Sequence, residues 1–212
     1  MLGLACSTHP EWAQRALGGL ERVLVDHAHC EMKAASNAIA LSARCLDYPE
    51  VVRALVDLAE EEIQHFRRVF DEIQRRGLKL DPPSEDFYVA ELRRRAHATG
   101  RDKSASGAIA DRLLVGSLIE ARSCERFKLL AAALREAAGA ASASRETSEE
   151  HLQLANFYDE LFAAEARHHR TFIDLAEKVV GDTERVHARL EALAQIEAEV
   201  VKSLHGDTTI HG

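Results

Sequence analysis

The strongest constraint on how this chain can fold lies in two short segments, Glu62-Ile63-Gln64-His65 and Glu165-Ala166-Arg167-His168. Each sits deep inside a long stretch of helically spaced apolar residues, and each of those stretches follows another that carries a central glutamate. Residues three apart on a helix share a face, separated by ~4.5 Å of rise, so one turn can offer a carboxylate and an imidazole to the same point. Carboxylates buried on apolar faces are costly unless compensated, and a metal is the compensation that uses several at once. Two such turns plus one glutamate from each of two partner helices give four carboxylates and two histidines, which balance two divalent irons in the core of a helical bundle. A third Glu-x-x-His, Glu184-Arg185-Val186-His187, directly follows Gly181-Asp182, a helix stop and an N-cap, and so reads as the surface-facing first turn of a new helix.

The breakers fall where helices can turn. Thr8-His9-Pro10-Glu11 reads as a capping box opening a first helix that runs toward Leu46, and Asp47-Tyr48-Pro49-Glu50 repeats the logic for a second helix that Gly77 stops. Pro82-Pro83 marks a connector, and Glu85 to Ala98 a shorter basic helix outside the main bundle. A third long helix is expected from about Ser104 to Ala138 and a fourth from a capping box at Thr147-Ser148-Glu149-Glu150; a final amphipathic helix spans Asp182 to about Leu204, and His205 onward reads as a loose tail. Four long helices in two sequential pairs with a longer crossover between them match an all-α, ferritin-like four-helix bundle with additional peripheral helices.

Depth along the helices selects the candidate ligands. With the first turn near Leu46 to Pro49, Glu31 and Glu62 come at similar depth on antiparallel helices. On the third helix the choice lies between Glu120 and Glu125; the spacing on either side of the following loop matches Glu120 to Glu165 and leaves Glu125 shallower. His169 is a helical alternative to His168, and Glu61 stands where it could turn toward the opposite motif and hold His168. His27 and His29 lie on different faces, one for the core and one for solvent or a neighbouring helix, while His9, His97, His151, His205 and His211 read as surface.

At 46% apolar content with four prolines in 212 residues, the chain can bury one substantial core, so residues 1–212 are expected to form a single domain. It shows no apolar run of membrane-spanning length and no leader pattern, which makes the cytoplasm the expected compartment. Cys6, Cys30, Cys45 and Cys124 form no close pairs and read as reduced, packed thiols. The net charge of −8 disfavours nucleic-acid binding through the overall field, yet residues 67–103 hold ten Lys/Arg against seven acids. There Arg93, Arg94, Arg95, Arg101 and Lys103 are candidates to grip phosphate.

The segments DHAHCEMKAAS (Asp26 to Ser36), LAEEEIQHF (Leu58 to Phe66), LIEARSCERF (Leu118 to Phe127) and AEARHHRTF (Ala164 to Phe172) resemble the bacterial tRNA 2-methylthio-N6-isopentenyladenosine hydroxylases across nearly the whole chain. The resemblance implies a di-iron monooxygenase that uses O2 to hydroxylate the isopentenyl group of a modified adenosine in tRNA, with Glu31, Glu62, His65, Glu120, Glu165 and His168 as iron ligands. An unactivated C–H bond has no proton that a side-chain base can remove, so metal-activated oxygen is required. No flavin, nicotinamide or cysteine-ligated cluster motif is visible, and an external reductase must supply electrons. A monomer or small homo-oligomer fits the enzyme. A ferritin-like oxidase of another substrate, an iron-storage shell and a metal-free module are the alternatives. The Ala/Ser-rich loop after the third helix, Gln64 and His169 depart locally from the family pattern.

Overall fold

In the computed structural model, residues 2–83, 86–100, 102, 104–141, 143–204 and 209–210 are described. They form α1 (Trp12–Gly18), α2 (Leu20–Ser42), α3 (Pro49–Arg75), α4 (Phe87–Ala98), α5 (Ala105–Ala138), α6 (Arg145–Val180) and α7 (Thr183–Ser203), with no strand among the described residues. The expected helical bundle is present: α2 pairs with α3 and α5 with α6, each as a sequential hairpin, while α3 also meets α6. The crossover between hairpins carries α4, which packs on α7 and α5 through buried Tyr88, Leu92 and Ala96. Arg101, Lys103, His205 and His211 lie outside the described residues.

Several helix starts differ from expectation. The first long helix is broken: tandem Gly18-Gly19 ends α1, because glycine loses the most backbone freedom in a helix, and α2 restarts at Leu20. Thr8 does not cap α1, since its hydroxyl and its N–H both donate to the buried Glu125 carboxylate, at 2.6 and 3.0 Å. Tyr48 takes the N-cap position of α3 without a side-chain cap, leaving the work to Pro49 in the first turn. Helix α6 begins earlier than the Thr147 box, because the Ser144 hydroxyl accepts from Thr147 N at 3.1 Å. The other boundaries fall as the caps direct, with Ser104 accepting from Gly107 N and Asp182 from Arg185 N; Gly181 ends α6 at φ +72°, a conformation glycine adopts without strain.

The core has two apolar halves. One gathers Leu41, Leu55, Leu58, Leu114, Leu118 and Phe172 with α4 and α7; the other gathers Trp12, Leu24, Val69, Phe127, Leu130 and Leu161. Each fully buried leucine contributes roughly 1.5–3 kcal/mol of burial free energy. Helix α5 is the axis of both: from Leu113 to Phe127 every residue but Gly116 is buried. At Gly116 the Phe172 ring comes within 3.2 Å of where a Cβ would stand, so α5 and α6 meet there at close range.

Candidate metal centre

Between the two apolar halves lies a polar layer one helical turn thick. Glu31 from α2, Glu62 and His65 from α3, Glu120 from α5, and Glu165 and His168 from α6 are all buried, the most accessible at 7%. One ligand atom each from Glu62, His65, Glu165 and His168 lie within 4.8 Å of one another. His65 Nδ1 stands 3.2 Å from Glu165, 3.4 Å from Glu62 and 3.8 Å from Glu31. His168 Nδ1 stands 2.9 Å from Glu62 and 3.1 Å from Glu165. Glu31 and Glu120 adjoin this quartet and line a small cavity together with Glu165.

The ambiguity on α5 resolves sterically. Glu120 faces the layer and feels the charges of Glu165, Glu62 and His168. Glu125 points away, toward Thr8 and Arg122. His169 also turns aside, sharing contacts of 2.8 and 2.9 Å with the Ser117 hydroxyl and carbonyl. Glu61 lies where expected, its carboxylate 3.1 Å from His168 Nε2 and 3.3 Å from Arg167 Nη2. That contact fixes the ring with Nδ1 facing inward. The matching position beside the other motif is Ala164, which offers no carboxylate.

One participant escaped the sequence reading. His27, fully buried, approaches the Glu31 carboxylate through Nε2 at 2.6 Å, and its ring stacks at 5.6 Å on Tyr158 and tilts against Phe127. The i, i+4 spacing of His27 and Glu31 is the signal that could have found it. His29 instead reaches the Asp81 carbonyl at 2.6 Å. His9 and His97 are exposed and His151 half-buried, none of them at the layer. The four cysteines are free, as expected.

The electrostatics divide the six side chains by role. Burial, then the charges of Glu62 and Glu165, push the Glu31 carboxyl well above the usual range, and burial, then Glu165 and Glu62, does the same to Glu120. For Glu62 and Glu165 burial works in the same direction, but the histidines outweigh it and hold both below the usual carboxylate range. Burial opposes charge on the imidazoles, yet Glu165 and Glu62 overcome it, raising His65 to about 9 and His168 to about 12. Glu62 and Glu165 thus favour their charged forms beside the two imidazoles, while Glu31 and Glu120 are pushed the other way.

That arrangement leaves bonding capacity unused. Neither oxygen of Glu62, nor Oε1 of Glu165, nor Nδ1 of His65 completes a hydrogen bond among the described residues, although all are buried. Buried acceptors without donors, converging on one point, suit cations. Oxygen and imidazole donors in this ratio suit iron or another hard-to-intermediate divalent ion.

Residues 2–212 match the family model described as tRNA-(MS2IO6A)-hydroxylase (MiaE). The chain belongs to the MiaE family. Among MiaE relatives, a Pseudomonas putida protein named tRNA 2-(methylsulfanyl)-N(6)-isopentenyladenosine(37) hydroxylase is 34% identical over 210 residues, covering 98% of this chain and 91% of the relative. A Salmonella typhimurium protein of the same name is 28% identical over 162 residues, 76% of this chain and 52% of that one. Among solved structures, a Synechococcus protein described as having aldehyde deformylating oxygenase activity superimposes with a TM-score of 0.79 at 34% identity, covering 99% of the MiaE-family chain and 95% of its own. No helix among the described residues is long and apolar enough to cross a membrane.

Proposed function

We propose that this MiaE-family chain is a di-iron monooxygenase that uses O2 to hydroxylate the isopentenyl group of 2-methylthio-N6-isopentenyladenosine in tRNA. The observation that carries the reading is the convergence of Glu31, Glu62, His65, Glu120, Glu165 and His168 into one buried layer in which both Glu62 oxygens and Glu165 Oε1 complete no hydrogen bond among the described residues. These six side chains would hold the irons, which when bound supply the O2 activation that an unactivated C–H bond requires. The protein's own part is to hold the ligands and keep water out. His27 braces Glu31, Glu61 braces His168, and Phe127 and Ile119 close the cavity wall beside Glu120.

The proposed partners are tRNA carrying the modified base, met in the cytoplasm, and a separate reductase that delivers electrons, with the enzyme acting as a monomer or small homo-oligomer. Phosphate grip is narrower than the run of arginines suggests. Arg94 and Arg95 both donate to Glu91 at 2.7 Å, and Arg95 also reaches Glu199, so their charge is largely satisfied. Arg93 stands instead beside the like charge of Arg112, and both are exposed. A splayed-out base needs only a few such contacts nearby.

The test is incubation of anaerobically iron-loaded, reduced protein with O2 and tRNA bearing the isopentenyl modification, followed by nucleoside mass analysis. One added oxygen atom on the modified nucleoside is the expected result; an unaltered nucleoside alongside full iron loading would refute it. The Synechococcus likeness favours a second reading, an aldehyde substrate. Consumption of a medium-chain aldehyde by the same preparation, with tRNA untouched, would select it.

A further inference from the structure

The cavity on the Glu31 and Glu120 side has a volume of only 20 Å³, and one wall of it is the side chain of Ile210, 1% exposed. The rest of the lining is mixed: apolar Cys30, Ala34, Ile119 and Phe127, polar His27 and Ser123, and the carboxylates of Glu31, Glu120 and Glu165. Of the stretch from His205 onward, Thr209 and Ile210 are held in place rather than loose. Buried Arg126 donates through Nη1 to the Thr209 and Ile210 carbonyls at 3.0 and 2.9 Å, and Ile210 N donates to Asp26 Oδ2 at 2.7 Å. On the outer side of the same segment lies a surface groove of 380 Å³, lined by Arg22, Val25, Asp26, His29, Lys79 and Thr209 among others. Thr209 thus lines the open groove, and its neighbour Ile210 lines the cavity beside the carboxylate layer.

The sizes of the two spaces matter. A groove of that volume falls within the range of small-molecule sites, about 300–1,000 Å³, and can take a nucleobase. The inner cavity holds little more than a water, whereas a cavity on the order of 150 Å³ is known to accept benzene, a group close in size to a branched five-carbon chain. What already fills the remaining space is a branched four-carbon side chain.

We propose that Ile210 occupies the seat of the substrate's isopentenyl group, so that Thr209 and Ile210 must withdraw for that group to pass from the groove to the carboxylate layer. This rests on the substrate assigned under the proposed function. The Asp26 and Arg126 contacts give the segment two polar anchors, both of which can be regained after product leaves. Because the competent form is only part of the population, the seated isoleucine weakens apparent affinity for the prenylated substrate and leaves unprenylated tRNA unaffected.

The experiment compares wild type, Ile210→Ala and Ile210→Leu as iron-loaded protein held without O2, so that binding is read without turnover. Two titrations are run: tRNA with and without the isopentenyl group, and 3-methylbut-2-en-1-ol alone as a five-carbon probe. Ile210→Ala should bind the prenylated tRNA and the alcohol about ten-fold more tightly, with unmodified tRNA unchanged, and Ile210→Leu should behave as wild type. Equal affinities in all three proteins for both ligands would overturn the assignment. Tighter binding of the alcohol by Ile210→Ala, with no preference for prenylated tRNA in any protein, would support a prenyl-sized seat and overturn the tRNA reading instead. A drop in melting temperature with no change in either titration would mark Ile210 as structural packing only and also overturn it.

Discussion

Replacing Glu197 by leucine should destabilise the protein by more than any surface change. Glu197 is fully buried on α7 and accepts from Arg122 Nε and Nη2, each at 2.9 Å, and from the Tyr88 hydroxyl at 3.0 Å. Arg122, itself fully buried on α5, has Glu125 as its other carboxylate, together with the Thr8 hydroxyl and the Cys6 carbonyl. Removing Glu197 leaves a buried guanidinium with its Nε–H stripped of a partner, and loss of one member of a buried pair costs about 3–5 kcal/mol. For a chain of this length each kcal/mol moves the melting temperature by roughly 2–4 °C, so the midpoint should fall by about 6–20 °C. Thermal unfolding followed by circular dichroism reads it, with Glu199→Gln as a control on an exposed neighbour, expected within about 0.5 kcal/mol of wild type. Adding Arg122→Met and Glu125→Gln to Glu197→Leu should restore much of the loss, since no charge of the buried cluster is then left without its partner. A shift no larger than that of the control, or no recovery in the triple variant, would refute the reasoning.

Glu61→Gln should weaken iron binding about ten-fold, by loosening His168 while leaving His65 as it is; metal titration would show one of two binding phases displaced, and an unchanged curve would rule out the brace. In chelator-treated protein, His65 stays protonated up to about 9 while the unfolded chain loses that proton near its ordinary pKa of ~6.5. The native state then binds more protons over that window, so stability should fall as pH rises through it; iron affinity should rise across the same window, because ligation displaces those protons. Denaturation midpoints that climb between those pH values would contradict the assignment. Arg93→Glu should weaken tRNA binding and lower its salt dependence by a slope of ~1, with Arg94→Glu having a smaller effect because Glu91 already holds that charge; equal effects would place the grip elsewhere.

Much of the layer was legible because amphipathic helices announce which face they bury. On α3 and α6 the apolar positions recur on one side, so the Glu-x-x-His turns could be placed on it directly. On α5 the pattern fails for a physical reason: a helix buried all round has no polar face to contrast with, so Glu120 and Glu125 look alike in sequence and only their partners separate them. Glu125 is committed to Thr8, a residue more than a hundred positions earlier, and that commitment also explains why Thr8 caps no helix. The same holds for Ile210, whose burial depends on Arg126 and Asp26, residues no local pattern links to the chain end.

The depth of α5 has a kinetic corollary. Amides on a helix sheathed by its neighbours along its middle turns can exchange with solvent only when the whole molecule opens, so the stretch from Leu113 to Phe127 should be the slowest to take up deuterium. A protein built this way keeps Glu120 on a near-immobile keel.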